Sequence, residues 1–152
     1  MSIVARLQED PLRPEQELAA LIEQAKGDGA VVTFTGIARP LSKGGGAVRR
    51  LVLEHHPALT VRSLEEIAVE AAARFEVSHV RVIHRCGEIA AGAPIVFAGA
   101  TSLHRRPAFE AADYLMDRLK TEAVFWKREI GEAGEKWIEP TDADYADRER
   151  WG

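Results

Sequence analysis

The 152-residue sequence predicts an α+β fold with a mainly antiparallel sheet and packed helices. Its strand-like and helix-like segments follow the order β-α-β-β-α-β-β-α, so strands and helices do not alternate one for one. This order weighs against a doubly wound parallel sheet and fits antiparallel strands joined by loops. The length suits a single domain over residues 1–152 that is large enough to bury a core.

The first part of the chain predicts three strands and one helix. Residues 3–8 alternate weakly, as in a short edge strand, and apolar spacing predicts a helix over 15–26. The β-branched, apolar stretch 30–37 indicates a buried strand. Another strand is expected over 48–55, so the two would form a hairpin across the glycine-rich loop 42–46. Successive glycines predict that this loop is mobile until something binds.

The second part predicts two longer helices and two strands. Thr60 is expected to cap a helix whose apolar stripe runs over 64–75. Residues 77–85 and the very apolar residues 95–101 predict strands on either side of a turn-rich excursion. Pro107 suits the first turn of a helix that continues to about residue 123.

The end of the chain gives weaker signals. Residues 125–126 and 136–138 combine aromatic and charged side chains and predict short extended pieces. From residue 139 to 152 the chain is acidic and polar, and this tail is expected to be loosely ordered.

Composition and charge exclude several classes of protein. A net charge of −4 argues against a general nucleic-acid binder, which is usually basic. No apolar run approaches the roughly 20 residues that cross a bilayer, and the first residues lack a signal-peptide pattern. A cytoplasmic protein without membrane contact is therefore expected.

Metal and disulfide chemistry are not predicted either. Cys86 is the only cysteine, so the chain has no intramolecular disulfide and no cysteine cluster for a metal. His55 and His56 are adjacent in a predicted strand and would point to opposite faces. Cys86 itself leaves two readings open, a persulfide carrier or a small buried apolar residue.

The basic turn at His104, Arg105 and Arg106 is the first candidate for function. It lies between a predicted strand end and a helix start, where free backbone N–H groups and the helix dipole favour phosphate. Cations there are unfavourable for the helix itself. Either an anion binds nearby or the arginines are simply solvated, and the residues alone leave both readings open.

Lys120, Lys127 and Arg39 are the other candidates. Lys120 would lie at the edge of the buried helix face, where partial burial and cationic neighbours lower the pKa of an amine and fit it for proton transfer. The alternative is a lysine that extends to solvent near a helix C-terminus. Lys127 poses the same choice. Arg39 is either a clamp for phosphate or carboxylate or an ordinary hairpin arginine.

Five segments, taken together, carry a family resemblance. They resemble, in order and at similar spacing, the large catalytic subunit of molybdopterin synthase over roughly residues 29–138. The segments are GAVVTFTG at 29–36 with Arg39, LEHHP at 53–57, VIHR at 82–85 with Gly87 and Glu88, TSLHR at 101–105, and LKT at 119–121 with FWKRE at 125–129.

The resemblance implies an α/β-hammerhead fold and a sulfurtransferase of molybdenum cofactor biosynthesis. It implies a homodimer at the centre of a heterotetramer, with a small ubiquitin-like sulfur-carrier subunit at each end. The carrier's C-terminal glycine thiocarboxylate would supply two sulfur atoms to cyclic pyranopterin monophosphate, which would become the dithiolene of molybdopterin. No cofactor and no cysteine nucleophile would be needed.

The resemblance also implies roles for particular residues. Lys120 and Lys127 would be catalytic. Relatives often have a lysine where this chain has Ile37, so its share of binding would fall to backbone contacts or to Arg39. Two alternatives remain at this stage, a sulfurtransferase that uses a Cys86 persulfide and a non-catalytic module that binds anions or docks a partner. The implied substrate-binding set is Ile37, Ala38, Arg39, His104, Arg105, Lys120, Lys127, Arg128 and Glu129.

Overall fold

Two four-stranded sheets and four helices make up the part of the chain that the structure, a computed structural model, describes, namely residues 1–132 and 134–152. The strands are β1 (Ser2–Gln8), β2 (Ala30–Ile37), β3 (Val48–His55), β4 (His79–Arg85), β5 (Gly87–Ala90), β6 (Pro94–Ser102), β7 (Phe125–Gly131) and β8 (Gly134–Ile138). The helices are α1 (Pro14–Gln24), α2 (Leu59–Arg74), α3 (Arg105–Glu122) and α4 (Asp142–Glu149).

The strand order is β1-β4-β6-β2 in the first sheet and β5-β3-β7-β8 in the second. Strands β1 and β4 pair in parallel, and the other strand pairs are antiparallel. The predicted α+β class with mainly antiparallel pairing is therefore confirmed. Among the described residues no helix is long and apolar enough to cross a membrane.

The main core lies between the first sheet and helices α2 and α3. Leu64 and Ile67 of α2 pack with Leu115 of α3 against Val82 and Ala98 of the sheet. The opposite face of the same sheet is covered by α1, through a smaller cluster of Leu12, Leu21, Ile83 and Phe97. A third cluster, Ala38, Leu53 and Ile89, joins the second sheet to the first near Ile95 and Phe125.

The prediction that β2 and β3 pair as a hairpin is wrong. β2 pairs with β6 in the first sheet, whereas β3 pairs with β5 and β7 in the second. The chain crosses between sheets through the glycine-rich loop, where only Leu41 and Ala47 form a bridge. β2 is also an edge strand and not a buried one, because Phe34 and Ile37 are about half exposed. Two apolar strands separated by a turn-rich loop usually pair with each other, which is why a hairpin was predicted. The sequence does not show that each of them pairs with other strands instead.

The chain end also differs from expectation, because residues 139–152 include helix α4 and are not a loose tail. Thr141 caps this helix: its hydroxyl accepts from the Asp144 N–H at 3.1 Å, and the Asp144 carboxylate accepts from the Thr141 N–H at 2.8 Å. This reciprocal capping box stabilises the first turn. Beyond the helix, the Trp151 ring packs edge-on against Phe75 and Tyr114.

Candidate active site

A cavity of about 590 Å³ lies where the second sheet meets the end of α3 and the start of α4. Its walls come from segments that are distant in sequence. They are the loop after β2, the cavity-facing side of β7 and β8, the last turn of α3, the end of β4 and the first turn of α4. The ionisable residues that line it are Arg39, Lys43, His84, Lys120, Lys127, Glu129, Lys136, Glu139, Asp144 and Tyr145.

The two lysines predicted to be catalytic share this cavity. Lys120 lies in the last turn of α3, and Lys127 lies three residues into β7. Side chains alternate along a strand, so Lys127 and Glu129 face the cavity together. Lys120 is exposed, although it was expected at the edge of the buried helix face, whereas Lys127 is half-buried.

The environment of Lys127 favours loss of its proton. The pKa of Lys127 falls to about 8, mainly because the ammonium group is buried and further because the charge of Lys120 is close. The carboxylate of Asp144 acts in the opposite sense and keeps the pKa from falling more. At neutral pH Lys127 therefore carries its charge, yet it gives up the proton more readily than an ordinary lysine.

His84 forms part of the cavity wall beside these lysines. Its ring stacks on Phe125 with 4.3 Å between ring centres, and its Nδ1 lies 2.8 Å from the Arg85 carbonyl oxygen. A carbonyl can only accept, so Nδ1 carries the proton. Burial, opposed by the Arg85 carbonyl and reinforced by the charges of Lys127 and Lys120, lowers the pKa of His84 to about 4. In the sequence this histidine was part of the segment at 82–85 that carries the resemblance, and its place in this wall was not predicted.

The loop after β2 contributes Ile37, Ala38 and Arg39 to the cavity, and all three belong to the substrate-binding set that the resemblance implies. Ala38 is buried and fixed on both sides, since its N–H donates to the Ala93 carbonyl at 2.9 Å and its own carbonyl accepts from the Gly92 N–H at 2.7 Å. This anchoring positions Arg39 at the cavity rim, where its side chain is exposed.

Lys43 and Lys136 also line the cavity, and sequence reasoning did not select them. Lys43 belongs to the glycine-rich loop. This loop forms a closed turn, in which the Ser42 N–H donates to the Gly46 carbonyl at 2.8 Å and the Gly45 N–H to the Ser42 carbonyl at 2.9 Å. Gly45 has a positive φ of 85°, which glycine adopts without strain. The sequence offers one weak signal for Lys43 and Lys136, which is that each lies a few residues beyond a segment predicted to form the site.

Arg128 does not belong to the cavity. It follows Lys127 in β7, so its side chain lies on the other face of the sheet. There its guanidinium forms ion pairs with Glu54 and Glu135 and lies over the Trp137 ring. The implied role of Arg128 in substrate binding is therefore not supported within this chain, because strand alternation points it away.

His104 and Arg105 are also absent from the cavity lining. They lie at the first turn of α3 and Lys120 lies at the last, so about 22 Å of helix separates Arg105 from Lys120 at 1.5 Å per residue. Both side chains are exposed, and in the described part of the chain Arg105 forms no ion pair. One chain therefore cannot bring the basic turn and the lysine pair together.

Cys86 is buried and does not line the cavity. Burial, with the charge of Glu9, raises the pKa of its thiol, although Arg85 acts against the rise. A thiol with a raised pKa is a poor nucleophile at neutral pH. Among the described residues no group of three or more His, Cys, Asp or Glu side chains is placed to hold a metal ion.

Comparison with known proteins gives a consistent result. Residues 7–122 match the family model described as MoaE protein. The chain is 48% identical over 130 residues to the molybdopterin synthase catalytic subunit of Yersinia pestis, with 86% of this chain and 85% of the relative covered. It is 44% identical over 149 residues to the subunit of the same name from Caulobacter vibrioides, with 98% and 97% covered.

A solved structure shows the same fold over nearly the whole length. It is the molybdopterin biosynthesis MoaE protein from Burkholderia ambifaria MC40-6, at a TM-score of 0.81 and 37% identity. The match covers 99% of this chain and 97% of that one.

Proposed function

This chain belongs to the MoaE protein family, and from that premise we propose that it is the catalytic subunit of a molybdopterin synthase. It transfers sulfur from the C-terminal thiocarboxylate of a small ubiquitin-like carrier subunit to cyclic pyranopterin monophosphate. Two such transfers give the dithiolene of molybdopterin. The observation that carries the proposal is the convergence of Lys120, Lys127 and Arg39 on one cavity of about 590 Å³. The cytoplasmic location stays a prediction.

The cavity suits a reaction in which the carrier's sulfur is the nucleophile. The side chains of this chain then transfer protons and stabilise developing charge. The thiocarboxylate sulfur attacks a side-chain carbon of the substrate and displaces an oxygen substituent from that carbon. Lys120 donates the proton that the departing oxygen takes up. The Lys127 ammonium lies in the same cavity and stabilises negative charge that develops on the reacting groups. The carrier and the substrate are then joined as a thioester. Water hydrolyses its acyl C–S bond with Lys120 as the base, so the sulfur stays on the substrate, the carrier leaves with a plain carboxylate and a recharged copy takes its place.

Cations around the cavity suit both anionic reactants. Arg39 at the rim offers a planar fork that binds a phosphate or carboxylate through two hydrogen bonds. Lys43 and Lys136 add positive charge on the walls formed by the glycine-rich loop and β8. In this chain these lysines make up for the absence of a basic side chain at Ile37.

The basic turn enters the site from a second copy of the chain. His104 and Arg105 are exposed, lie at the start of α3 and are too far from Lys120 of their own chain to share its cavity. The homodimer that the family resemblance implies is the arrangement in which they bind substrate. The free N–H groups of the first helical turn add to the attraction for phosphate, since no side chain caps them.

Single-turnover sulfur transfer tests this proposal. The protein is mixed with thiocarboxylated carrier and pterin substrate, and sulfur gain on the pterin is followed by mass spectrometry. Lys120→Ala should lower the rate constant by about 100-fold or more, the range expected when a proton-transfer group is lost. Retention of near-normal turnover by Lys120→Ala would remove the central role proposed here.

Two matched variants serve as controls. Lys26→Ala removes an exposed lysine that pairs with Glu23 just beyond α1, outside the cavity, and should react normally. Cys86→Ser should also react with a thiocarboxylate donor, because the buried thiol has no part in this route. A complete loss of transfer in a folded Cys86→Ser protein would contradict this expectation and would require a role for the Cys86 thiol.

A further inference from the structure

Helix α4 forms one wall of the cavity. Thr141, Asp144 and Tyr145 from its first turn line the space that Lys120 and Lys127 line from the other side. The helix is held in place by contacts away from the cavity, among them the hydrogen bond from the Trp151 indole N–H to the Asp117 carboxylate at 2.7 Å. An acidic side chain of α4 thus shares the pocket with several cations.

The Asp144 carboxylate is fixed and not free to turn into solvent. One of its oxygens, Oδ2, accepts from the Thr141 backbone N–H at 2.8 Å, while the Thr141 hydroxyl accepts from the Asp144 N–H at 3.1 Å. Such reciprocal caps hold both partners in one geometry. The negative charge therefore stays at the cavity wall without further ordering of the chain.

The charges of this carboxylate and of the pocket lysines act on one another. Burial alone would raise the pKa of Asp144, but the hydrogen bonds from Thr141 and the charges of Lys120 and Lys43 outweigh it and lower the pKa. In return the Asp144 charge raises the pKa of Lys127. The other carboxylates of the lining, Glu129 and Glu139, lie on or next to β7 and β8 and not on α4.

We propose that Asp144 is the internal counter-ion of the pocket lysines and determines which anions bind there, because any anionic ligand has to compete with it. A carboxylate held among Lys43, Lys120 and Lys127 neutralises part of their field when the cavity contains no ligand. Because this carboxylate stays in place, a bound anion meets its repulsion together with the attraction of the lysines. A monovalent anion therefore gains little, whereas a phosphate group, or a carboxylate that brings a whole carrier surface with it, gains enough to bind.

The inference rests on the proposed function only in treating the cavity as the anion-binding site. It adds a specificity-determining residue on a helix that sequence reasoning did not predict. It also explains why an acidic residue lines a pocket for two anionic reactants. Its charge limits the attraction of the cavity for ions that are not substrates.

A sulfate titration of the protein tests the role of Asp144. Sulfate is a suitable probe because it keeps two negative charges across the working range, and at pH 6 Lys127, with a pKa of about 8, is charged. Binding is followed at low ionic strength through NMR shifts of cavity backbone amides. Asp144→Asn should bind sulfate about threefold to tenfold more tightly, as expected for removing one like charge near the surface.

Two control variants separate the local charge from other effects. Asp142→Asn removes a carboxylate from the same turn of α4 that does not line the cavity, and its affinity should stay within about twofold of the original. Asp144→Glu keeps both the charge and a favoured capping residue, and it should restore weak binding. The asparagine amide can still accept from the Thr141 N–H, and the Trp151 indole signal shows whether α4 remains docked. Should Asp144→Asn undock the helix, Asp144→Ser takes its place.

Unchanged or weaker sulfate binding by Asp144→Asn would overturn the inference. Equal tightening in Asp142→Asn would do the same, because it would show an effect of net charge alone. The titration needs neither carrier nor turnover, so its failure is distinct from failure of sulfur transfer. A tighter-binding Asp144→Asn protein would support the inference even if Lys120→Ala retained activity.

Discussion

Lys127 and Arg128 are consecutive in β7, and their side chains lie on opposite faces of the second sheet. Lys127 faces the cavity, whereas Arg128 lies 3.2 Å from a Glu54 carboxylate oxygen on the far side. Two neighbouring cations thus have different surroundings. Lys127 shares the cavity with Lys120, and Arg128 links β7 to β3 and β8 through its ion pairs.

Substitution should separate these two roles. Arg128→Ala should lower the free energy of unfolding by about 1 kcal/mol through loss of its ion pairs and its ring contact, with sulfur transfer within about threefold of normal. Lys127→Ala should lower transfer by about 100-fold, the size expected when a charge-stabilising group is lost. Chemical denaturation and single-turnover kinetics measure the two effects. A folded Arg128→Ala protein without activity would place Arg128 in contact with substrate after all.

The charge of Lys127 predicts a pH dependence. Because its pKa is about 8, the fraction of protein with a Lys127 ammonium falls as pH rises through that value. If the ammonium stabilises developing charge, the transfer rate should fall over the same range. Asp144→Asn should move the midpoint to lower pH, since the Asp144 charge raises the pKa of Lys127. Single-turnover rates from pH 6 to 10 provide the profile.

Lys127→Arg is the matched variant for this profile, because arginine keeps its charge throughout that range. In Lys127→Arg the transfer rate should no longer fall as pH rises through 8, whatever the absolute rate of this variant. A rate that rises through pH 8 in the unsubstituted protein would mean that the neutral amine is the working form and that Lys127 acts as a base.

His84 predicts a loss of stability in acid. Its pKa is about 4 in the folded protein against 6.5 for an ordinary histidine, so the unfolded chain binds the proton first as pH falls. Stability is fully present above about pH 6.5 and declines toward pH 4, by up to about 3 kcal/mol from this group. Denaturation at pH 7 and 4.5 measures the decline. His84→Phe keeps an aromatic ring against Phe125 and should reduce the difference in the free energy of unfolding between the two pH values. An equal difference in both proteins would show that His84 does not cause the loss of stability in acid.

A mixing experiment tests the two-copy site. Lys120→Ala and Arg105→Ala should each be inactive alone, since each removes one half of the same site. In mixed dimers one of the two sites pairs an intact Lys120 with an intact Arg105 from the other copy. Random exchange of a symmetric dimer should therefore restore about a quarter of the normal activity. No recovery after confirmed subunit exchange would place both residues in the site of one chain.

The sequence predicted much of the local structure because its signals are local. The extended piece at 125–126, the apolar stripe of α3 and the glycine-rich loop that follows β2 depend on neighbouring residues. The α+β class followed from element order. The residues themselves made Lys120, Lys127 and Arg39 candidates, the family resemblance then implied their roles, and the structure brings them to one cavity.

What the sequence did not predict depends on distant partners. The assignment of β2 and β3 to different sheets depends on β6 and β7, and the place of Asp144 depends on how α4 docks against α3. Helix α4 was not predicted from composition, because an acidic polar stretch is also typical of a disordered tail. The resemblance also implied a substrate-binding role for Arg128, although the alternation of side chains along β7 directs it away from the cavity.

The central position of β7 in the second sheet has a consequence for how the molecule is made. During synthesis, β3 leaves the ribosome about 70 residues before β7, and until then it has only the short β5 as a partner. The open edge of β3 is a template for pairing with other chains during that interval. The lysine-bearing strand closes this edge, so the cavity is among the last parts of the protein to form. We expect a nascent chain that stops short of β7 to be inactive and prone to aggregate.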